Sequence, residues 1–227
     1  MTKRMGRAFL AAIKKEAEAA PGARESVLGN PQRRRVFQSL CLHPAGSIAE
    51  VARALGVSPA TVRFHALRLA AAEYLAATDE SFVPAGLVPS DDVPMFRALA
   101  TAPARRALAA AYGTAGLSVG ELADAVDMSR QALASLLDSL VALGLISRVA
   151  DGRFTRVYAT RALEERRERH TPRARQFCES VLRRLATEGE APEVLRQTPG
   201  EFQCRFGRGS LRALLELRVE PYSALLM

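Results

Sequence analysis

Setting residue n on residue n + 71 aligns two segments of this chain without a gap. SIAEVARALGVSPATVRFHALRLAAAEYL (47–75) falls on SVGELADAVDMSRQALASLLDSLVALGLI (118–146). Identities include Ser47/Ser118, Glu50/Glu121, Ala52/Ala123, Ser58/Ser129 and Leu69/Leu140, and Ile48/Val119, Val51/Leu122, Leu55/Val126, Val62/Leu133, Ala66/Leu137 and Leu75/Ile146 exchange one apolar residue for another. RRRVFQSL precedes the first copy and ARRALAAA the second, each reading as a preceding helix. Two copies of one supersecondary unit are the simplest account.

The first copy spells out the unit. Residues 32–42 form a helix, and His43-Pro44-Ala45-Gly46 breaks it. Ser47 with Glu50 three positions on makes a capping box for a helix over 48–55. Gly56 closes that helix, and Ser58-Pro59 opens the next. Val51, Leu55, Val62, Ala66 and Leu69 form one apolar seam. Helix, tight turn, second helix is the helix-turn-helix pattern. The second copy adds GLISRVADGRFTRVYATR (144–161), where Asp151-Gly152 separates two alternating runs and predicts a hairpin. The first copy has only a stunted counterpart over 73–84.

These units resemble the winged helix-turn-helix domains of ArsR- and MarR-type transcriptional regulators of bacteria and archaea. The stretch LGVSPATVRFHALRL carries most of the resemblance, which covers about residues 31–84 and 94–160. The resemblance implies a recognition helix that enters the major groove by its N-terminal half. Ser58, Pro59, Ala60, Thr61 and Arg63 would then face bases or phosphates, and His65 and Arg68 the backbone. Thr61 could meet a thymine methyl and Arg63 a guanine or a phosphate. Phe64 stands where the family often has Arg, and Leu67 where it often has Lys, so both are expected to pack on another element or a partner. In the second copy Arg130 and Gln131 are the candidate base readers, opposed by Asp138. Arg148, Arg153 and Arg156 on its wing would follow phosphates or a minor groove. The second copy is either a wing-led binder or a structural, dimerising one.

Charge agrees with an anionic partner. The chain is net +8, and residues 1–35 hold nine Lys/Arg against three Asp/Glu. Within that excess, Arg33-Arg34-Arg35 opens a helix whose N-terminus is already positive, which favours a phosphate contact over plain solvation. Aromatic residues are only 6% and Trp is absent, so the core is Leu-, Val- and Ala-built and helical.

The expected architecture is mainly α with small β wings: two tandem winged helix-turn-helix domains plus a C-terminal helix and β-hairpin. The segments are an amphipathic arm (1–30), a first winged domain (31–90), a second (91–160), a helical dimerisation segment (161–190) and a small hairpin element (191–227). Thr171-Pro172 is expected to interrupt the helix of 161–190, whose apolar face either pairs with a second subunit or docks on its own chain. EFQCRF and LRALLELRVE are expected to pair across Gly207–Ser210.

Catalytic and metal signatures are absent. Cys41, Cys178 and Cys204 are scattered, Cys41 and His43 fall short of the three or four ligands a metal needs, and the ArsR cysteine motif is missing. GRGS (207–210) lacks the rest of a phosphate loop. The cysteines read as buried and structural, with redox sensing as the alternative. No enzyme, cofactor or membrane span is expected. The partners expected are double-stranded DNA and a second copy of the chain, in the cytoplasm with the nucleoid. The function expected is a sequence-specific transcriptional regulator, with repression the usual outcome in the resembled families. The alternatives are a tandem winged-helix scaffold of chromosome or transcription machinery, or a plasmid or viral replication initiator.

Overall fold

The structure is a computed structural model and describes residues 26–78, 81–208 and 211–226. Most of the 1–30 arm therefore lies outside the described residues. The chain divides into two compact units: one takes the described residues to Val88 with Arg173–Val219, the other Pro89–Pro172 with residues from Glu220 on.

In the first unit a 3-10 turn (Val27–Gly29) leads into α1 (Pro31–Leu42), α2 (Ile48–Leu55) and α3 (Pro59–Ala71), then β1 (Leu75–Ala77) and β2 (Phe82–Pro84). The starts and stops follow local chemistry. The Ser47 hydroxyl accepts from the Glu50 amide at 3.2 Å, and the Ser47 amide donates back to Glu50 Oε2 at 3.1 Å. Gly56 ends α2 at φ 67°, where a side chain would be strained. Ser58 caps α3 through the Thr61 amide at 3.1 Å. The strands β1 and β2 are antiparallel from Leu75↔Pro84 to Ala77↔Phe82, as short as the sequence implies.

The second unit holds α4 (Val93–Ala98), α5 (Ala102–Gly113), β3 (Leu117–Ser118), α6 (Val119–Val126), α7 (Arg130–Ala142), β4 (Ile146–Asp151) and β5 (Phe154–Ala159). Its small sheet has the order β3-β5-β4. Gly152, at φ 59°, turns the β4–β5 hairpin, and Asp151 pairs with Phe154.

The sequence repeat recurs in individual hydrogen bonds. Arg34 Nη1 reaches the carbonyls of Leu28 and Gly29, and Arg105 Nη1 those of Leu99 and Ala100, each acceptor 71 positions on. Arg35 Nη2 reaches the Leu55 carbonyl at 3.2 Å, and Arg106 Nη2 the Val126 carbonyl at the same distance. Both last acceptors end a helix, where cations are favoured. Ser118 and Glu121 repeat the capping box at 3.2 and 2.7 Å. Ser47→Ala or Ser118→Ala should each cost about 1 kcal/mol, read as a lower midpoint in urea unfolding. Asp127 departs from the repeat by holding φ 54° where the first copy has glycine.

The helix α8 (Ala162–Thr187) runs unbroken through Thr171-Pro172, against the expected interruption. Proline there removes one backbone bond, but tertiary burial on both sides holds the turn. Leu163 is buried in the second unit; Phe177, Cys178, Val181 and Leu185 are buried in the first. The apolar face read as a dimer seam is thus covered by the chain itself, the docked alternative. In the first unit Phe37 meets Tyr74 edge-on at 5.5 Å and Phe177 at 6.2 Å.

The tail forms the expected hairpin, β7 (Glu201–Arg208) on β8 (Leu211–Arg218), with Phe202, Cys204, Phe206, Leu215 and Leu217 buried. A strand missed in the sequence, β6 (Glu193–Gln197), extends it to a three-stranded sheet, β6-β7-β8. This sheet belongs to the first unit and is not a separate element, because β8 packs on α1 and Gln38 donates to the Glu216 carbonyl at 3.0 Å.

All three cysteines are free and buried in the first unit. Burial raises each thiol, Cys178 and Cys204 to about 12, so they remain protonated and poorly reactive.

Candidate nucleic-acid interface

In the first unit α3 opens on an exposed, capped turn. Ser58, Pro59, Ala60 and Arg63 are exposed, and Thr61 is half-buried. The hydroxyls of Ser58 and Thr61 bond each other at 2.8 Å. Arg63 makes no ion pair among the described residues, so its guanidinium is available to an external acceptor. Phe64 lies off the apolar seam and is 42% exposed, so of the two expected packings, on another element or on a partner, its open surface is left for the second. Arg68 is half-buried and lies over the Phe64 ring at 5.5 Å.

Two groups of expected contacts are differently employed. His65 is buried at 8% exposure, edge-on to Phe64 at 5.3 Å, and does not stand on the surface beside Arg63. It falls on the core side because it lies three residues past Val62 and four before Leu69, both fully buried. Burial first, and the Arg33 charge second, hold its pKa below 6.5. The sign follows: protons bind the unfolded chain more readily, so this contribution to stability is present above pH 6.5 and is lost as pH falls through and below it. A wild-type chain should therefore lose more thermal stability between pH 7.5 and 5 than a His65→Leu variant does. The second group is the arginine triplet. Arg33 Nη1 donates to the Val27 carbonyl at 2.9 Å, Arg34 to the adjacent turn and Arg35 to Leu55. A phosphate contact was favoured for the three over plain solvation; each also donates to carbonyls of its own unit.

In the second unit Arg130 and Gln131 are exposed at the start of α7. The Arg130 guanidinium lies against Gly120, 3.6 Å from where a Cβ there would sit. The hairpin cations are largely answered by carboxylates. Arg148 pairs with Asp138, and Arg156 with Asp151 at 3.0 Å and Glu121 at 3.5 Å. Arg153 instead lies over the Phe154 ring at 4.9 Å, and Phe154 is itself 43% exposed. A capped helix pair, an exposed second-helix start and a two-stranded hairpin are thus together within one short stretch.

Residues 101–153 match the MarR family.

The MarR-type segment covers less than a quarter of the chain, and the family is one of DNA-binding transcription regulators. No curated protein matches the chain. Among solved structures it is similar to the DIP2311 protein from Corynebacterium diphtheriae, at 19% identity over 56% of this chain and 26% of that one, with a TM-score of 0.24. The chain thus spans about a quarter of that protein's length, and so slight a likeness carries no argument.

Within the MarR-type segment the sequence reading saw Asp138 but not the other carboxylates. The signal was available: an Asp-Gly hairpin fixes Val149 opposite Arg156, which puts Asp151 diagonal to it. Arg63, which makes no ion pair among the described residues, lies outside the matched segment.

Proposed function

We propose that this chain is a sequence-specific regulator of transcription that binds double-stranded DNA through tandem winged helices. The first reads bases with α3, and the second docks with α7 and its wing. The observation that supports this best is the start of α3: a capped, exposed turn whose Arg63 has no partner among the described residues. The MarR match and the net charge of +8 support the same reading. In this reading Ser58, Pro59, Thr61 and Arg63 contact the major groove, with Arg68 beside them. Arg130 and Gln131 place the second copy, and Arg153 leads its wing because Arg148 and Arg156 are paired. Arg33, Arg34 and Arg35 set the geometry of α1 and touch DNA only secondarily. The regulator is a homodimer on a quasi-palindromic site, acts as a repressor by occlusion, is not an enzyme, and works in the cytoplasm on the nucleoid. No helix among the described residues is long and apolar enough to cross a membrane.

Selecting bound fragments from genomic DNA, followed by titration of the selected duplex against salt, tests the reading. The expected result is one recurring site and an affinity falling with salt at a slope of about −0.9 per phosphate neutralised. No duplex binding at low salt would overturn it. A second reading, a protein-binding scaffold, is favoured by the exposed Phe64, Val149 and Phe154. It would give that negative result.

A further inference from the structure

We infer that Phe64 is a base-reading residue, recognising the 5-methyl group of thymine; this rests on the DNA-binding reading above. Ala60, Arg63, Phe64 and Leu67 recur at i, i+3, i+4 and i+7, so they share one face of α3. That face is the outward one: Ala60 and Arg63 are exposed, Phe64 is 42% exposed and Leu67 is half-buried. Its composition is one cation among three apolar side chains. A recognition helix lined this way must find apolar surface on its target. In the major groove the thymine methyl is the apolar group on the floor, and phenylalanine is among the side chains that contact it.

Three observations select this occupant. Helix α3, PATVRFHALRLAA, contains no carboxylate and two arginines, Arg63 and Arg68, which suits an anionic partner. The ring is held before any partner arrives, by the Arg68 guanidinium 5.5 Å above it and the His65 ring 5.3 Å away, which lowers the ordering cost of contact. Thr61, the methyl reader expected from sequence, is half-buried and has its hydroxyl tied to Ser58 at 2.8 Å, leaving Phe64 one turn on to fill that role. Arg63, adjacent to Phe64, pairs with guanine in the same step. The site therefore holds a thymine next to a guanine in each half.

The test uses the full chain and the duplex recovered by selection, with each thymine replaced singly by deoxyuridine, which removes only the methyl group. Binding is read by fluorescence anisotropy. Wild type should lose about fourfold in affinity at one or two positions, the equivalent of about 0.8 kcal/mol per buried methyl. Phe64→Ala should bind both duplexes alike, and Phe64→Leu should keep part of the difference. Arg63→Ala should keep all of it while losing the neighbouring guanine preference. Circular dichroism of Phe64→Ala should match wild type, since the side chain is exposed. If wild type prefers its site but ignores the methyl, or if Phe64→Ala keeps the difference, Phe64 is not the reader and the DNA-binding reading stands. If no duplex is preferred at all, both fall.

Discussion

Arg63→Ala weakens binding to the selected duplex by about 1–3 kcal/mol and flattens the base preference at one position of each half-site. The size follows from what the side chain lacks at home. It is exposed on α3 and makes no ion pair among the described residues, so binding breaks no internal contact before the new one forms. Arginine presents two parallel donors, and their match to guanine O6 and N7 is what makes the loss specific to one base. Arg156→Ala is the instructive contrast. Its guanidinium already serves Asp151, Glu121 and the Gly116 carbonyl. Its loss should leave base preference unchanged and change affinity by well under 1 kcal/mol, the scale of a partly exposed ion pair. Binding measured for both variants against the selected site and a scrambled one separates them. Equal effects on the two duplexes for Arg63→Ala would mean that it touches phosphate, not a base.

What the sequence makes legible here is whatever a short stretch decides alone. Ser47-x-x-Glu50 and Ser118-x-x-Glu121 are complete instructions for starting a helix, and both form as spelled. Asp151-Gly152 fixes a hairpin within its own few residues. What the sequence leaves illegible needs information from elsewhere in the chain. The run Arg33-Arg34-Arg35 shows its charge in the sequence, but not that the turn Val27–Gly29 and the end of α2 offer it carbonyls. Pro172 breaks a helix considered alone, yet α8 continues because burial on both sides outweighs one missing bond. Every residue of strand β6 is exposed, so it shows little of the alternation that marks a half-buried strand. The candidate face follows the same rule: the caps and periodicity located α3 and put Phe64 off the seam, but the burial of His65 comes from packing.

Asp92→Ala destabilises the unit containing it by about 3–5 kcal/mol, the cost of leaving a largely buried cation without its partner. In the sequence Asp92 lies in SDDVP, which holds no cation to pair with it. In the fold it is 9% exposed and joins two groups distant in sequence. Arg166 Nε donates to Oδ1 at 3.0 Å, and Tyr222 Oη donates to Oδ2 at 2.6 Å. Arg166 also reaches the carbonyls of Ala162 and Leu143, so its position is set from three sides. Tyr222 lies edge-on to both Phe96 and His170 at 5.1 Å. Asp92 is thus the point where the start of α8 and the chain's last turn meet the loop before α4. Removing the carboxylate strands the guanidinium and the phenol together. Tyr222→Phe removes only the neutral donor and should cost about 1 kcal/mol. The two changes share one hydrogen bond, so the double variant should be more stable than additivity predicts, by a coupling of about 0.5–3 kcal/mol. Urea unfolding followed by circular dichroism measures all three variants. A cost under about 1 kcal/mol for Asp92→Ala would show that solvent satisfies Arg166 on its own and that the carboxylate does not join these segments.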